Sequence, residues 1–163
     1  MYGHPEIIEA LNEVLTSELT AVNQYFAHSE MCENWGYERL HTAFREHSIG
    51  EMRHAEKLIA RVLYLDGVPN MARYYDIKIG TTVKEMLEND GALEKEAIER
   101  LNELIQLAHT LKDFGTEELF EEILRDEEDH VDWIEAQLDQ ISQMGYENYL
   151  AQQIGAEEAE ENA

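Results

Sequence analysis

The 163-residue chain is poor in cysteine (one), proline (two) and glycine (nine), and it has only 12 basic side chains. A lone Cys32 excludes an internal disulfide framework and any four-cysteine metal site. No apolar run reaches about 18 residues, the length a membrane-spanning helix needs. The opening, MYGHPEIIEA, has neither the basic flank nor the apolar stretch of a secretory signal. These shortages point to a soluble protein of the cytoplasm. The lack of basic residues matters further, because 36 acidic side chains stand against them and leave a net charge of −24. Such a surface repels nucleic acid and anionic membranes and attracts cations.

With few residues to break them, helices can run long. Pro5 suits a first helical turn, and Ile7, Leu11, Val14, Leu15, Leu19, Val22 and Phe26 carry an apolar stripe towards a break at Trp35-Gly36. A second helix is predicted from about Tyr37 to Leu65, stopping at DGVPN. An irregular stretch follows over 68–81. A third helix opens where Thr82 and Glu85 have the spacing of a capping box; it is predicted to continue to Phe114 and to end at Gly115. Thr116 then caps a fourth, running to about Met144, and YENYLAQQI makes a short fifth. Four helices of about 28–30 residues, each about 42–45 Å long, indicate a bundle. The first pair and the last pair are joined by tight turns, and the middle connection is long. That predicts an all-α, ferritin-like four-helix bundle with one crossover and a short C-terminal helix. One domain is expected over 1–155, with 156–163 a disordered acidic tail.

Each long helix carries a polar residue on its apolar stripe near mid-length. Glu18 lies in line with Leu11, Leu15 and Tyr25; Glu51, with His54 beside it, lies between Phe44 and Leu58. Glu94 lies in line with Leu87, Ala97 and Leu101, and Glu127, next to His130, with Phe120, Ile123 and Ile134. Glu-x-x-His alone is weak, since 28 Glu and seven His make about one such pair expected by chance. Three occur, and the first, Glu38/His41, reads as solvated surface at a helix start. The stronger signal is a repeat. A shift of 76 residues carries Glu18 onto Glu94, Glu51 onto Glu127 and His54 onto His130, and it also carries Ala21 onto Ala97 and Phe44 onto Phe120.

One unpaired buried carboxylate costs several kcal/mol, and four together also repel one another. No Lys or Arg on these stripes neutralises them, whereas two divalent cations would balance four Glu, with two imidazoles completing the shells. One Glu from each of two helices and a Glu-x-x-His from each of the others is the di-iron carboxylate arrangement.

At this point the sequence resembles the bacterioferritins, through LTSELTAVNQYFAH, EMRHAEKLIARVLYLDGVPN and RDEEDHVDWIEAQL. The resemblance covers nearly the whole chain. It implies a 24-subunit homo-oligomeric shell that oxidises Fe(II) with dioxygen or hydrogen peroxide and stores ferric mineral. By position, Glu18 and Glu94 would each hold one iron, Glu51 and Glu127 would bridge, and His54 and His130 would each bind one. Tyr25 would be an electron donor or hydrogen-bond partner near this di-iron centre. Met52 points about 100° away from Glu51, on a line with Ile49, Ala55 and Ile59. The resemblance makes it the axial ligand of haem b, about one per two chains across a two-fold axis, with a ferredoxin-type electron donor for iron release. One departure is Gly50, where relatives often have Asp before the helix-two Glu; the second half keeps its acid as Asp126-Glu127. His47, one turn before Glu51, is expected to substitute in part.

Two other functions fit parts of the pattern. A discrete di-iron oxidase or peroxidase would need a substrate pocket or a cysteine-rich electron-transfer module, and no Cys-x-x-Cys is present. An acidic interaction bundle would leave the aligned carboxylates accidental.

Overall fold

The computed structural model describes residues 1–155 and shows five helices: α1 (Pro5–Asn34), α2 (Glu38–Tyr64), α3 (Val83–Thr110), α4 (Phe114–Met144) and α5 (Tyr146–Ala151). The acidic tail expected at 156–163 lies outside the described residues. Three-residue turns make α1/α2 and α3/α4 antiparallel pairs. The crossover returns along α1, so α2 and α3 run parallel.

Three of the long helices end alike. A residue at positive φ (Gly36, +81°; Asp66, +60°; Lys112, +58°) follows the last turn, and the next amide donates back to a carbonyl five residues earlier. Those bonds are Tyr37 N to Cys32 O, Gly67 N to Val62 O and Asp113 N to Ala108 O, each 2.9 Å. The α3 boundary therefore differs from expectation: Lys112, not Gly115, stops it. Gly115 sits in the first turn of α4, where a Cβ would come within 2.6 Å of the Arg61 guanidinium. The cap of α4 is Asp113, whose carboxylate accepts from Thr116 N, rather than Thr116 itself. Thr82 does cap α3, accepting from Glu85 N at 3.1 Å. Glu85 reaches Thr81 instead of closing the reciprocal half of the box.

The crossover is strapped to a second, polar stripe of α1 at steps of four. Asn12 accepts from Asn70 N, Thr20 from Tyr75 N, Gln24 from Lys78 N, and His28 Nε2 from Gly80 N, at 2.8–3.0 Å. Thr16 receives the Arg73 guanidinium. Asn12 to His28 spans about 24 Å, so the irregular segment is held along about half of the 30-residue α1. His28 is anchored in turn on buried Asp90 of α3.

The apolar core lies in two blocks. One is built from Ile7 to Leu15, Ala55 to Leu65, Leu101, Ala108, Phe120 and Ile123. The other holds Tyr25, Phe44, Met86, Leu87, Ile134 and Tyr149, the last carried in by α5. Between them lies a polar layer.

Candidate metal centre

That layer is made of the six residues singled out on the stripes. Glu18, Glu51, His54, Glu94 and Glu127 are buried, and His130 is nearly so. Their donor atoms form two overlapping groups: Glu18, Glu51, His54 and Glu127; and Glu51, Glu94, Glu127 and His130. Glu51 and Glu127 belong to both. In the first group, His54 Nδ1 lies 3.5 Å from Glu18 Oε2, 3.3 Å from Glu51 Oε2 and 3.3 Å from Glu127 Oε1. In the second, His130 Nδ1 lies 3.0 Å from Glu51 Oε1, 3.6 Å from Glu94 Oε1 and 3.6 Å from Glu127 Oε2. Ligands about 2.0–2.2 Å from one cation stand about 3.0–3.5 Å apart, so both groups match the edges of coordination polyhedra.

The hydrogen bonding also fits cations. Glu18 Oε2, Glu51 Oε1, Glu94 Oε2, Glu127 Oε1 and His130 Nδ1 are buried without a hydrogen bond, a state that costs about 1–3 kcal/mol for each neutral group and more for charged ones. No buried polar side chain among the described residues is Lys or Arg. Protons are then the available neutralisers. Burial, reinforced by the charge of Glu127, pushes the Glu18 carboxyl up to about 8. Burial opposes charge on His54, but Glu127, Glu18 and Asp126 outweigh it and push its imidazole up to about 11. Burial acts to raise the Glu127 carboxyl, yet His130 and His54 hold it below the ordinary range. Cations binding here displace protons.

Neighbouring residues orient the cluster. Asp126 Oδ2 accepts from His54 Nε2 at 2.7 Å, leaving Nδ1 turned to the carboxylates. Tyr25 donates to Glu94 Oε1 at 2.8 Å, and burial pushes its phenol well above 10. On the other half, Gly50 leaves open space where the counterpart of Asp126 would stand. His47 does not fill that role as a hydrogen-bonding acid. It packs its ring on His130, centroids 4.4 Å apart and planes at 31°, with Trp133 edge-on behind it. Burial and the neighbouring His130 push it down to about 3, so it stays neutral.

Met52 lies outside this layer and is about half exposed, as is Phe26 of α1. Leu19 and Ile49 are partly buried. Ala55, expected on the same outer line, is in the core instead, because four residues past Glu51 it lies about 40° from that inward line and about 60° from Met52.

The sequence matches the ferritin-like domain over residues 8–144. A bacterioferritin of Mycolicibacterium paratuberculosis is 48% identical over 152 residues, covering 93% of this chain and 96% of that one. One of Streptomyces coelicolor is 46% identical over 151 residues (93% and 90%), and one of Brucella melitensis 44% over 149 (91% and 92%). The chain belongs to the bacterioferritins. Membership supports iron storage and, in general terms, ferroxidase activity, and the buried carboxylate–imidazole cluster is compatible with a di-iron centre. Among the described residues no helix is long and apolar enough to cross a membrane.

Proposed function

We propose that this bacterioferritin oxidises Fe(II) at Glu18, Glu51, His54, Glu94, Glu127 and His130 and stores the ferric product inside a shell of 24 copies. The observation that carries the reading is the pair of overlapping donor groups sharing Glu51 and Glu127. Iron is the substrate: each of two ferrous ions gives up one electron, and dioxygen takes two electrons and two protons to become hydrogen peroxide. With hydrogen peroxide as oxidant, the same two electrons yield two waters. Glu18 and Glu94 serve one ion each, with His54 and His130, and the shared carboxylates span both. Asp126 keeps His54 turned inward, and Tyr25 holds Glu94. Met52 from each chain of a two-fold dimer would hold haem b, about one per two chains, and the haem would supply a site for electrons from a ferredoxin-type donor during iron release. The setting is the cytoplasm.

The test is stopped-flow Fe(II) oxidation with particle size. Glu18→Ala, and separately His54→Ala with His130→Ala, should abolish the fast phase of two Fe(II) per chain while the particle and its helicity persist. Unchanged kinetics in either variant sinks the assignment.

A further inference from the structure

At the far end of α1 a separate cluster brings Glu30, Glu33 and His41 together, with ligand atoms within 4.8 Å of one another. Glu30 and Glu33 lie one turn apart on α1, and His41 faces them from the first turns of α2 across the bend at 35–37. Twelve residues separate Glu30 from Glu18, about 18 Å along the helix, so this cluster is no part of the buried centre. The sequence pattern pairs His41 with Glu38 as solvated surface. In the structure its side chain is only 15% exposed and turns to α1 instead.

Two carboxylates on a helix face are ordinary; the imidazole is what distinguishes this place. Ser29 has one hydroxyl hydrogen, and its Oγ donates it to His41 O at 3.0 Å. His41 Nδ1 also lies 2.9 Å from that Oγ and 3.0 Å from Ser29 O, and a backbone carbonyl can only accept. Nδ1 therefore carries the hydrogen. This fixes the tautomer and leaves the Nε2 lone pair facing outward, as a backbone carbonyl does for a metal-bound histidine. Nε2 stands 3.5 Å from Glu33 Oε2, beyond the usual 2.7–3.2 Å of an N–H···O bond. It is close to the edge of about 3.4 Å expected between two ligands sharing one cation at about 2.1 Å.

We propose that Glu30, Glu33 and His41 form a second, solvent-open site for a borderline divalent cation, the class that includes zinc and ferrous iron. One imidazole and two carboxylates suit such ions better than they suit calcium or magnesium, which prefer all-oxygen shells. Water fills the remaining positions, since the Glu33 side chain is about half exposed. The cation ties the end of α1 to the start of α2.

Zinc tests this on the assembled, full-length protein. At about 0.15 M salt, equilibrium dialysis should count one zinc per chain more in the wild type than in His41→Gln or Glu33→Gln. In zinc-soaked crystals, anomalous density should lie about 2.1 Å from His41 Nε2 in the wild type and be missing in His41→Gln. Fast Fe(II) oxidation should be unchanged in both variants. Glu33→Gln changes an exposed side chain, so it keeps the test valid if His41→Gln fails to fold. Equal zinc counts in wild type and Glu33→Gln, or no density beside His41, overturns the proposal. The difference of one zinc is read independently of the buried centre: failure of that reading lowers the total, not the difference.

Discussion

Asp126 makes the two halves of the buried centre unequal. His54 has a carboxylate fixing its outer nitrogen at 2.7 Å, whereas His130 has open space at Gly50 and the ring of neutral His47 against its face. Removing a partner of this kind lowers metal affinity by about 10–100-fold. Asp126→Asn should therefore weaken the ion held with His54 by that factor and leave the other equivalent nearly as tight. Metal titration by calorimetry reads the two separately, and equal weakening of both would contradict the asymmetry. At this scale most of the centre is legible in the residues themselves. Six polar residues on apolar stripes, repeated at a shift of 76, leave few alternatives, and Asp126 stands out because its counterpart is glycine. What His47 does is not legible, since spacing alone cannot distinguish a ring stacked on His130 from a hydrogen-bonding substitute. His41 is misread from spacing because its partner, Ser29, lies across a turn rather than on its own helix.

Helix ends show where sequence reading gives out. Gly36 is an evident stop, but Asp66 and Lys112 adopt the same left-handed conformation with a side chain present, and nothing in their local sequence announces it. Gly115 looks like a breaker, yet it is small because Arg61 crosses over it to reach Asp113 at 2.7 Å and Thr116 at 3.1 Å. The stripe of Asn12, Thr20, Gln24 and His28 is equally hidden. On an amphipathic helix such residues read as the solvent face, and only the path of the crossover reveals their partners. The Asp113 cap leads to a pH prediction. Burial tends to raise its carboxyl, but hydrogen bonds from Thr116 and Arg61 outweigh that and hold it below 3.8. A depressed folded value stabilises the protein above the unfolded one, and that contribution disappears as pH falls through the folded value. Asp113→Ala should cost about 1 kcal/mol near neutrality, and its unfolding temperature should converge on the wild type's below about pH 3.8. A gap that stays constant into acid would show that the charge contributes nothing.

For the whole molecule, the polar layer between two apolar blocks couples folding to cations. The four carboxylates converge only in the folded bundle, so ions bound there stabilise it by mass action, about 2.7 kcal/mol per site at 100 times Kd. Zinc should raise the unfolding temperature of the wild type and do so less in Glu18→Ala; equal shifts would place the effect elsewhere on this acidic surface. Assembly is the other consequence at this scale. The Ser48 hydroxyl donates to Val22 O at 2.8 Å across the α1/α2 pair, and Met52 and Phe26, one on each of these helices, are both 49% exposed. An apolar patch on a chain with net charge −24 is a natural contact surface. If the contact is two-fold, each residue near the axis meets its own copy, and one thioether per chain becomes a facing pair. Two neutral sulfur ligands would favour reduced haem iron, in keeping with the electron entry proposed above. Met52→Leu keeps the volume and apolarity, so the dimer contact and the iron centre should both survive. Haem absorbance, expected at about one per two chains in the wild type, should fall to background, with particle size and the rate of Fe(II) oxidation unchanged. Retention of haem at the same ratio and with the same spectrum would remove Met52 from that role.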